Sequence, residues 1–233
     1  MLVLINIVYF QKLPKKNLFF WIFFHIFGAK YLKESFETFK KAMFSGILLS
    51  IGCMAYLKVG GLIGATLFAF GLMTIVLWKV PLFTGSVGFS RYPISKWRDF
   101  YWEMLIIILG NLTGSLLSAY LASTLTSIPQ EHLMRLEDSK LALNGIETLV
   151  RAIFCGLIMS TVVFHAKNGK FLPLLYGIPI FIICGFLHSI AEMFYGGLMY
   201  FHNGIVMPFG FFVTVIIGNT FGCRLHRLFL PKT

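Results

Sequence analysis

Ten residues, KAMFSGILLS at 41–50, return as RAIFCGLIMS at 151–160. Four positions are identical (Ala42/Ala152, Phe44/Phe154, Gly46/Gly156, Ser50/Ser160) and the other six exchange like for like. A second pair, GNLTG at 110–114 and GNTFG at 218–222, keeps nearly the same offset. So do two lysines, Lys30 and Lys140, each sixteen residues ahead of its repeated glycine. The chain is written as two copies of one unit, and whatever fold it adopts must place that unit twice.

What the unit is follows from the hydropathy. Apolar residues make up 58% of the 233 residues and charged ones 12%, more apolar surface than a globule of this size can bury, so lipid must be part of the solvent. A bilayer span takes about 20 mostly apolar residues, and such stretches lie at 42–60, 61–80, 100–126, 147–166, 172–197 and 205–223. Each unit therefore holds three spans. Three is odd, so the second unit enters the bilayer from the side opposite to the first. The expected fold is an all-α integral membrane protein of six transmembrane helices arranged as an inverted 3+3 repeat.

Charge placement orients it. The net charge of +11 does not point to nucleic acid, because Lys and Arg collect in alternate loops. They lie in the N-terminal arm (Lys12, Lys15, Lys16, Lys30, Lys33, Lys40, Lys41), after span two (Arg91, Lys96, Arg98), after span four (Lys167, Lys170) and at the end (Arg224, Arg227, Lys232). The loop after span three sets Glu131, Glu137 and Asp138 against Arg135 and Lys140. Both termini are expected in the cytoplasm, with the protein in the cell (inner) membrane. The organisation reads as an interfacial helical arm (1–40), a first three-span repeat (41–126), an outer loop with the start of span four (127–146), a second repeat (147–228) and a tail (229–233). The arm's two apolar runs, LVLINIVYF and LFFWIFFHIF, are too short to span and read as interfacial or docked helices; an extra span is the other reading. No small-residue cleavage site follows the first run, so it does not read as a leader. Cys53, Cys155, Cys184 and Cys223 stand singly in apolar stretches and read as small core residues, with no metal and no cofactor implied.

Inverted repeats tend to hold a site at their shared interface, built where helices break. Span two ends in WKVPLFTGSVGF (78–89), with Pro81, Gly85 and Gly88, and span five carries Pro173, Gly177, Pro179 and Gly185 ahead of FLHSIAEMF. Spans two and five are therefore expected to be broken. The small residues of GxxxS and GNxxG would let neighbouring helices approach closely.

With those residues in view, the chain resembles the formate/nitrite transporters. LFTG (82–85) is similar to that family's loop interrupting its second span, GFLHSIAEMF (185–194) to its fifth-span motif with a central histidine, and GNLTG and GNTFG to its third- and sixth-span glycine motifs. The resemblance covers roughly residues 30–228. It implies an aquaporin-like protomer in a homopentamer, each protomer with its own pore for small monovalent weak-acid anions. By position it implies a pore centre of His188 and Thr84, apolar constrictions at Phe68, Leu72, Leu82, Phe83 and Phe181, and vestibule lysines Lys30 (cytoplasmic side) and Lys140 (outer side). Five positions depart from the family pattern: Pro81 and Leu187 replace acidic residues, and Ser86, Gly156 and Glu192 replace asparagines. This is a divergent member.

The chemistry that such residues permit is simple. Moving a carboxylate-sized ion into low dielectric costs on the order of 20 kcal/mol in the ideal case and several after relaxation, so a bare anion stalls at an apolar neck. Vestibule lysines concentrate anions, and desolvation disfavours the charged form of a weak acid. Proton capture becomes easy where charge becomes costly. His188 is the chain's best proton-handling group, and Thr84 could fix its tautomer. Glu192, one helical turn after His188, is expected either to couple to it and sharpen pH sensitivity or to anchor the loop through Lys79. The partners expected are thus a small anion, protons, lipid and further copies of the chain. Formate, nitrite, hydrosulfide and short carboxylates all fit. Two other functions are compatible with parts of the pattern: a neutral-solute channel of the aquaporin type, and an intramembrane serine hydrolase using Ser86 and His188. The first lacks paired Asn-Pro-Ala signatures and the second lacks an oxyanion-hole motif, so a transport protein and not an enzyme is expected.

Overall fold

A computed structural model describes residues 18–89, 96–125 and 128–229, with side chains from Tyr31 onward except those of His226, Arg227 and Phe229. The expected role of the first apolar run, the side chain of Lys30 and the loop position of Arg91 lie outside the described residues. The helices in chain order are α1 (Leu18–Val59), α2 (Gly61–Leu77), α3 (Phe83–Phe89), α4 (Trp97–Ser123), α5 (Gln130–Leu141), α6 (Gly145–Lys167), α7 (Leu172–Ile183), α8 (Ser189–Asn203) and α9 (Phe209–Phe229). The described residues form no strand.

Two compact units divide the chain, Met1–Glu37 and Thr38–Thr233. The first is helical from Leu18 onward, and α1 runs through residue 40 without an interruption. The second holds everything that follows.

Among the described residues, three helical stretches are long and apolar enough to cross a bilayer unaided: Tyr31–Val59, Trp97–Ser123 and Gly145–Lys167. Gly61–Leu77, Leu172–Ile183 and Phe209–Leu225 are apolar but shorter. A 17-residue helix such as α2 rises about 25 Å against a hydrocarbon core of about 30 Å, so it needs the segment beyond its break to complete a crossing. The outward faces match lipid: Leu62, Ile63, Phe70, Tyr176 and Phe209 are each more than half exposed. This is a multi-pass membrane protein. Cys184 departs from the expectation of a core cysteine, because it caps α7 at the protein surface, whereas Cys53, Cys155 and Cys223 are buried.

Gly60 and Gly61, at φ 67° and 57°, make the sharp turn between α1 and α2 that a side chain would strain. The repeated motifs bring helices together at backbone distance. A Cβ at Gly110 would stand 2.6 Å from the Phe39 carbonyl oxygen, packing α4 on α1, and one at Gly218 would stand 2.9 Å from that of Leu149, packing α9 on α6. Gly46 and Gly156 face the carbonyl oxygens of Asn111 and Asn219. At Gly156 an added Cβ would lie 2.5 Å from that oxygen and 2.8 Å from the Cys223 nitrogen, both main-chain atoms that cannot swing aside. Gly156→Ala is therefore expected to cost about 1–3 kcal/mol, read as a lower unfolding midpoint in detergent. An unchanged midpoint would mean the two helices are free to separate there.

Candidate functional site

Helix α2 stops at Leu77 and helical structure resumes at Phe83; α7 stops at Ile183 and resumes at Ser189. Each gap leaves backbone N–H and C=O groups without helical partners at a depth where lipid offers none. One asparagine closes each gap. The Oδ1 of Asn111 accepts the Phe83 N–H at 2.9 Å, and its Nδ2 stands 2.7 Å from the Ala42 carbonyl, 2.9 Å from Ser45 Oγ and 3.2 Å from the Pro81 carbonyl. The Oδ1 of Asn219 accepts the Ser189 N–H at 2.7 Å, and its Nδ2 donates to the carbonyls of Ala152 and Leu187, both at 2.8 Å. Ala42 and Ala152 are partners in the repeat, as are the two asparagines. Both amides are fully buried.

This arrangement explains two of the departures from the family pattern. At Pro81 and Leu187 the latch grips the carbonyl oxygen, so the side chain is not needed for anchoring. The Pro81 carbonyl takes a second bond from Ser45 Oγ at 2.5 Å. The Leu187 N–H reaches the Arg151 carbonyl at 3.4 Å.

The two breaks meet at one contact. Thr84, in the first turn of α3, places Oγ1 3.1 Å from His188 Nε2. His188 is the N-cap of α8, and its Nδ1 accepts the Ala191 N–H at 3.4 Å. A ring nitrogen that accepts a backbone N–H carries no proton in the neutral imidazole, which places the proton on Nε2 and makes Thr84 Oγ1 the acceptor. Both side chains are 1% exposed. Both ring nitrogens of His188 are thus engaged, one by Thr84 and one by the Ala191 N–H.

Apolar side chains surround that contact. Phe181 lies 6.3 Å from the His188 ring and meets Phe68 edge to face at 5.6 Å. Phe68, Leu72, Leu82, Phe83 and Phe181 are all buried. Four of them line two cavities. Leu72 and Leu82 line one of about 580 Å³, which holds Lys79 and Lys167 and has no acidic residue in its described wall. Phe68 and Phe181 line another of about 190 Å³, which holds Lys140, Arg151 and Glu192. His188 and Thr84 line neither.

The second cavity is roofed by α5, whose positions 133, 137 and 140 share one face. Leu133, Glu137 and Lys140 are buried there, and Asn203 Nδ2 ties the roof down by donating to Glu137 Oε2 at 3.1 Å. Lys140 Nζ consequently sits 2.5 Å from Glu192 Oε2 and 5.2 Å above the Tyr195 ring. The side chains of the pair are 8% and 3% exposed. The sequence offered His188 or Lys79 as the partner of Glu192; the structure gives it Lys140. Helical geometry does link Glu192 to His188, but through the main chain, the Glu192 N–H donating to the His188 carbonyl at 2.9 Å.

Three residues that hold the breaks escaped the sequence reading. Asn111 and Asn219 were visible only as part of glycine motifs, although their recurrence at nearly equal spacing from the breaks, 28 and 30 residues, was the available signal. Arg151 was visible only as the counterpart of Lys41. It donates to the Gly185 carbonyl at 3.2 Å and pairs with Glu147 at 2.6 Å, fixing the second break from the cavity side.

A profile of the formate/nitrite transporter family matches residues 23–229. Among curated proteins the chain is 29% identical over 183 residues to an uncharacterized transporter of Bacillus subtilis, YrhG, covering 71% of this chain and 68% of that one. It is 27% identical over 190 residues to the formate channel FocA of Escherichia coli, covering 71% and 67%. Among solved structures it is similar to a pentameric formate channel with formate bound, with a TM-score of 0.69, 22% identity and coverage of 82% and 92%. An FNT family ion channel gives 0.69, 21%, 80% and 85%.

Proposed function

Because this chain belongs to the formate/nitrite transporter family, we propose that it is a channel or proton-coupled transporter for small monovalent weak-acid anions such as formate, nitrite, hydrosulfide or a short carboxylate. The observation that carries this reading is the Thr84–His188 contact, set in an apolar neck between two cavities that both contain lysine. An anion gathered in either cavity meets a wall of Phe and Leu where its charge is poorly solvated. It crosses as the neutral acid, with His188 handling the proton and Thr84 holding the imidazole in one tautomer. Lys30 and Lys140 are the proposed vestibule lysines. Lys140 acts from within an ion pair, so its cavity is less positive than the lysine alone suggests.

The fold shared with a pentameric formate channel supports a homopentamer, in which neighbouring copies cover part of the exposed apolar surface. The basic alternate loops support both termini on the cytoplasmic side of the cell membrane.

The test is uptake by proteoliposomes loaded with an internal pH dye and challenged in parallel with formate, nitrite, hydrosulfide and lactate. Fast acidification by one or two of these, absent from empty liposomes, is the expected result. Flux of glycerol with none of the acids would instead place the chain among neutral-solute channels.

A further inference from the structure

The buried Lys140–Glu192 pair holds the only lysine in the described wall of the smaller cavity, where an arriving anion would meet an ammonium group. We propose that the Glu192 carboxylate occupies the anion's seat on Lys140 as a tethered competitor, so that it sets how much substrate is needed to load the pore. The inference rests on the weak-acid reading above and adds to it the residue that governs loading.

The chemistry is that of like displacing like. The pore's proposed ligands include monovalent carboxylates, and Glu192 presents a carboxylate 2.5 Å from the Lys140 ammonium, inside the cavity walled at its inner end by Phe68 and Phe181. Lysine has three donor hydrogens, but the seat offers one positive charge, and Glu192 neutralises it. A free anion that approaches must either push the glutamate aside or bind a site with no net charge. A group tethered by a short flexible link competes at an effective concentration on the order of millimolar or above. Glu192, held on a buried helix turn and aimed at its partner, competes at least that well.

Other charged and titratable groups do not provide a second open seat. Arg151 on α6 lines the same cavity but is engaged by Glu147 and by the Gly185 carbonyl. Cys53 and Tyr56 of α1, Cys155 of α6 and Tyr195 of α8 stand around Glu192 and carry no fixed positive charge. His188 is turned to Thr84. Protonation of Glu192 would free Lys140 without any movement of the backbone, so the competitor also makes loading from this cavity respond to acid.

The experiment compares the wild type with Glu192→Gln, which keeps the side chain's length and removes its charge. Uptake in proteoliposomes is measured against formate concentration at pH 5 and pH 7.5, and formate-dependent thermal stabilisation of the purified protein is measured in detergent. Glu192→Gln is expected to lower the half-saturating formate concentration tenfold or more in both measurements at pH 7.5. It is expected to lose most of the pH dependence of that value, and to have no effect when Lys140 is already Gln. An unchanged or raised half-saturation would overturn the proposal, as would an equal gain in the Lys140→Gln background. Should Glu192→Gln fail to assemble, Glu192→Asn, the residue type expected from the family pattern, carries the same prediction. The thermal measurement separates the two ideas: absence of flux with all weak acids defeats the transport reading, while a tenfold difference in the stabilisation midpoint still reports competition at Lys140.

Discussion

Asn219→Leu is expected to leave no folded, assembled protein after solubilisation. The substitution removes one acceptor and two donor bonds at once, stranding the Ser189 N–H and the Leu187 carbonyl in a buried site, while the Ala152 carbonyl keeps its partner inside α6. Each stranded group costs about 1–3 kcal/mol. Two of them take a large share of the stability of an ordinary protein, about 5–15 kcal/mol. Asn111→Leu should be milder, because it strands the Phe83 N–H but leaves the Pro81 carbonyl its bond from Ser45 and the Ala42 carbonyl its partners in α1. Asn219→Asp is the informative intermediate. It keeps the acceptor for Ser189 but loses both donors, so it should assemble in reduced yield with a lowered unfolding midpoint. Size-exclusion chromatography and thermal unfolding in detergent check all three. A leucine variant that elutes and melts like the wild type would show that the breaks are held by something else.

The second large effect separates two roles of one side chain. His188 caps α8 by accepting the Ala191 N–H, and its other nitrogen meets Thr84 in the neck. His188→Asn retains the first role, because asparagine is among the best N-cap residues, and abolishes the second, because a carboxamide does not exchange a proton at physiological pH. The expected result is an unfolding midpoint close to that of the wild type with weak-acid flux reduced about 100-fold, the lower end of what a positioned proton donor contributes. Undiminished flux would make His188 a helix cap that merely lies in the pore. Loss of both stability and flux would leave the two roles joined, and Thr84→Val, which removes only the hydroxyl, would then separate them.

The fold was legible because its signals are local or periodic. Apolar length gives the membrane-crossing helices, and the repeated glycine motifs give the matched close packing of α4 on α1 and of α9 on α6. Helical structure lapses over 78–82 and 184–188, the stretches that hold Pro81 and Gly185. What could not be read are contacts between residues far apart in sequence whose chemistry suits several partners. Glu192 could have reached His188, Lys79 or Lys140, and only the roof helix α5, with Leu133, Glu137 and Lys140 on one face, decides among them. The asparagines were hidden for a different reason. GNLTG and GNTFG attract attention to their glycines, which explain close packing so well that the amide between them seems to need no role of its own. The departures at Pro81 and Leu187 looked like lost anchors because the reading considered side chains, whereas the anchor is a carbonyl that any residue supplies.

The two asparagine latches have a mechanical meaning. Each is a cross-brace tying the end of a broken helix to a continuous one, and each is made only of amide, hydroxyl and carbonyl groups, none of which gains or loses charge between acid and neutral pH. The ends of the two broken helices are therefore held by parts that acid leaves alone, and the groups proposed for proton handling and loading, His188 and Glu192, stand at the N-cap and in the first turn of one of them. On that proposal, a filter so built would change its chemistry without changing its bore.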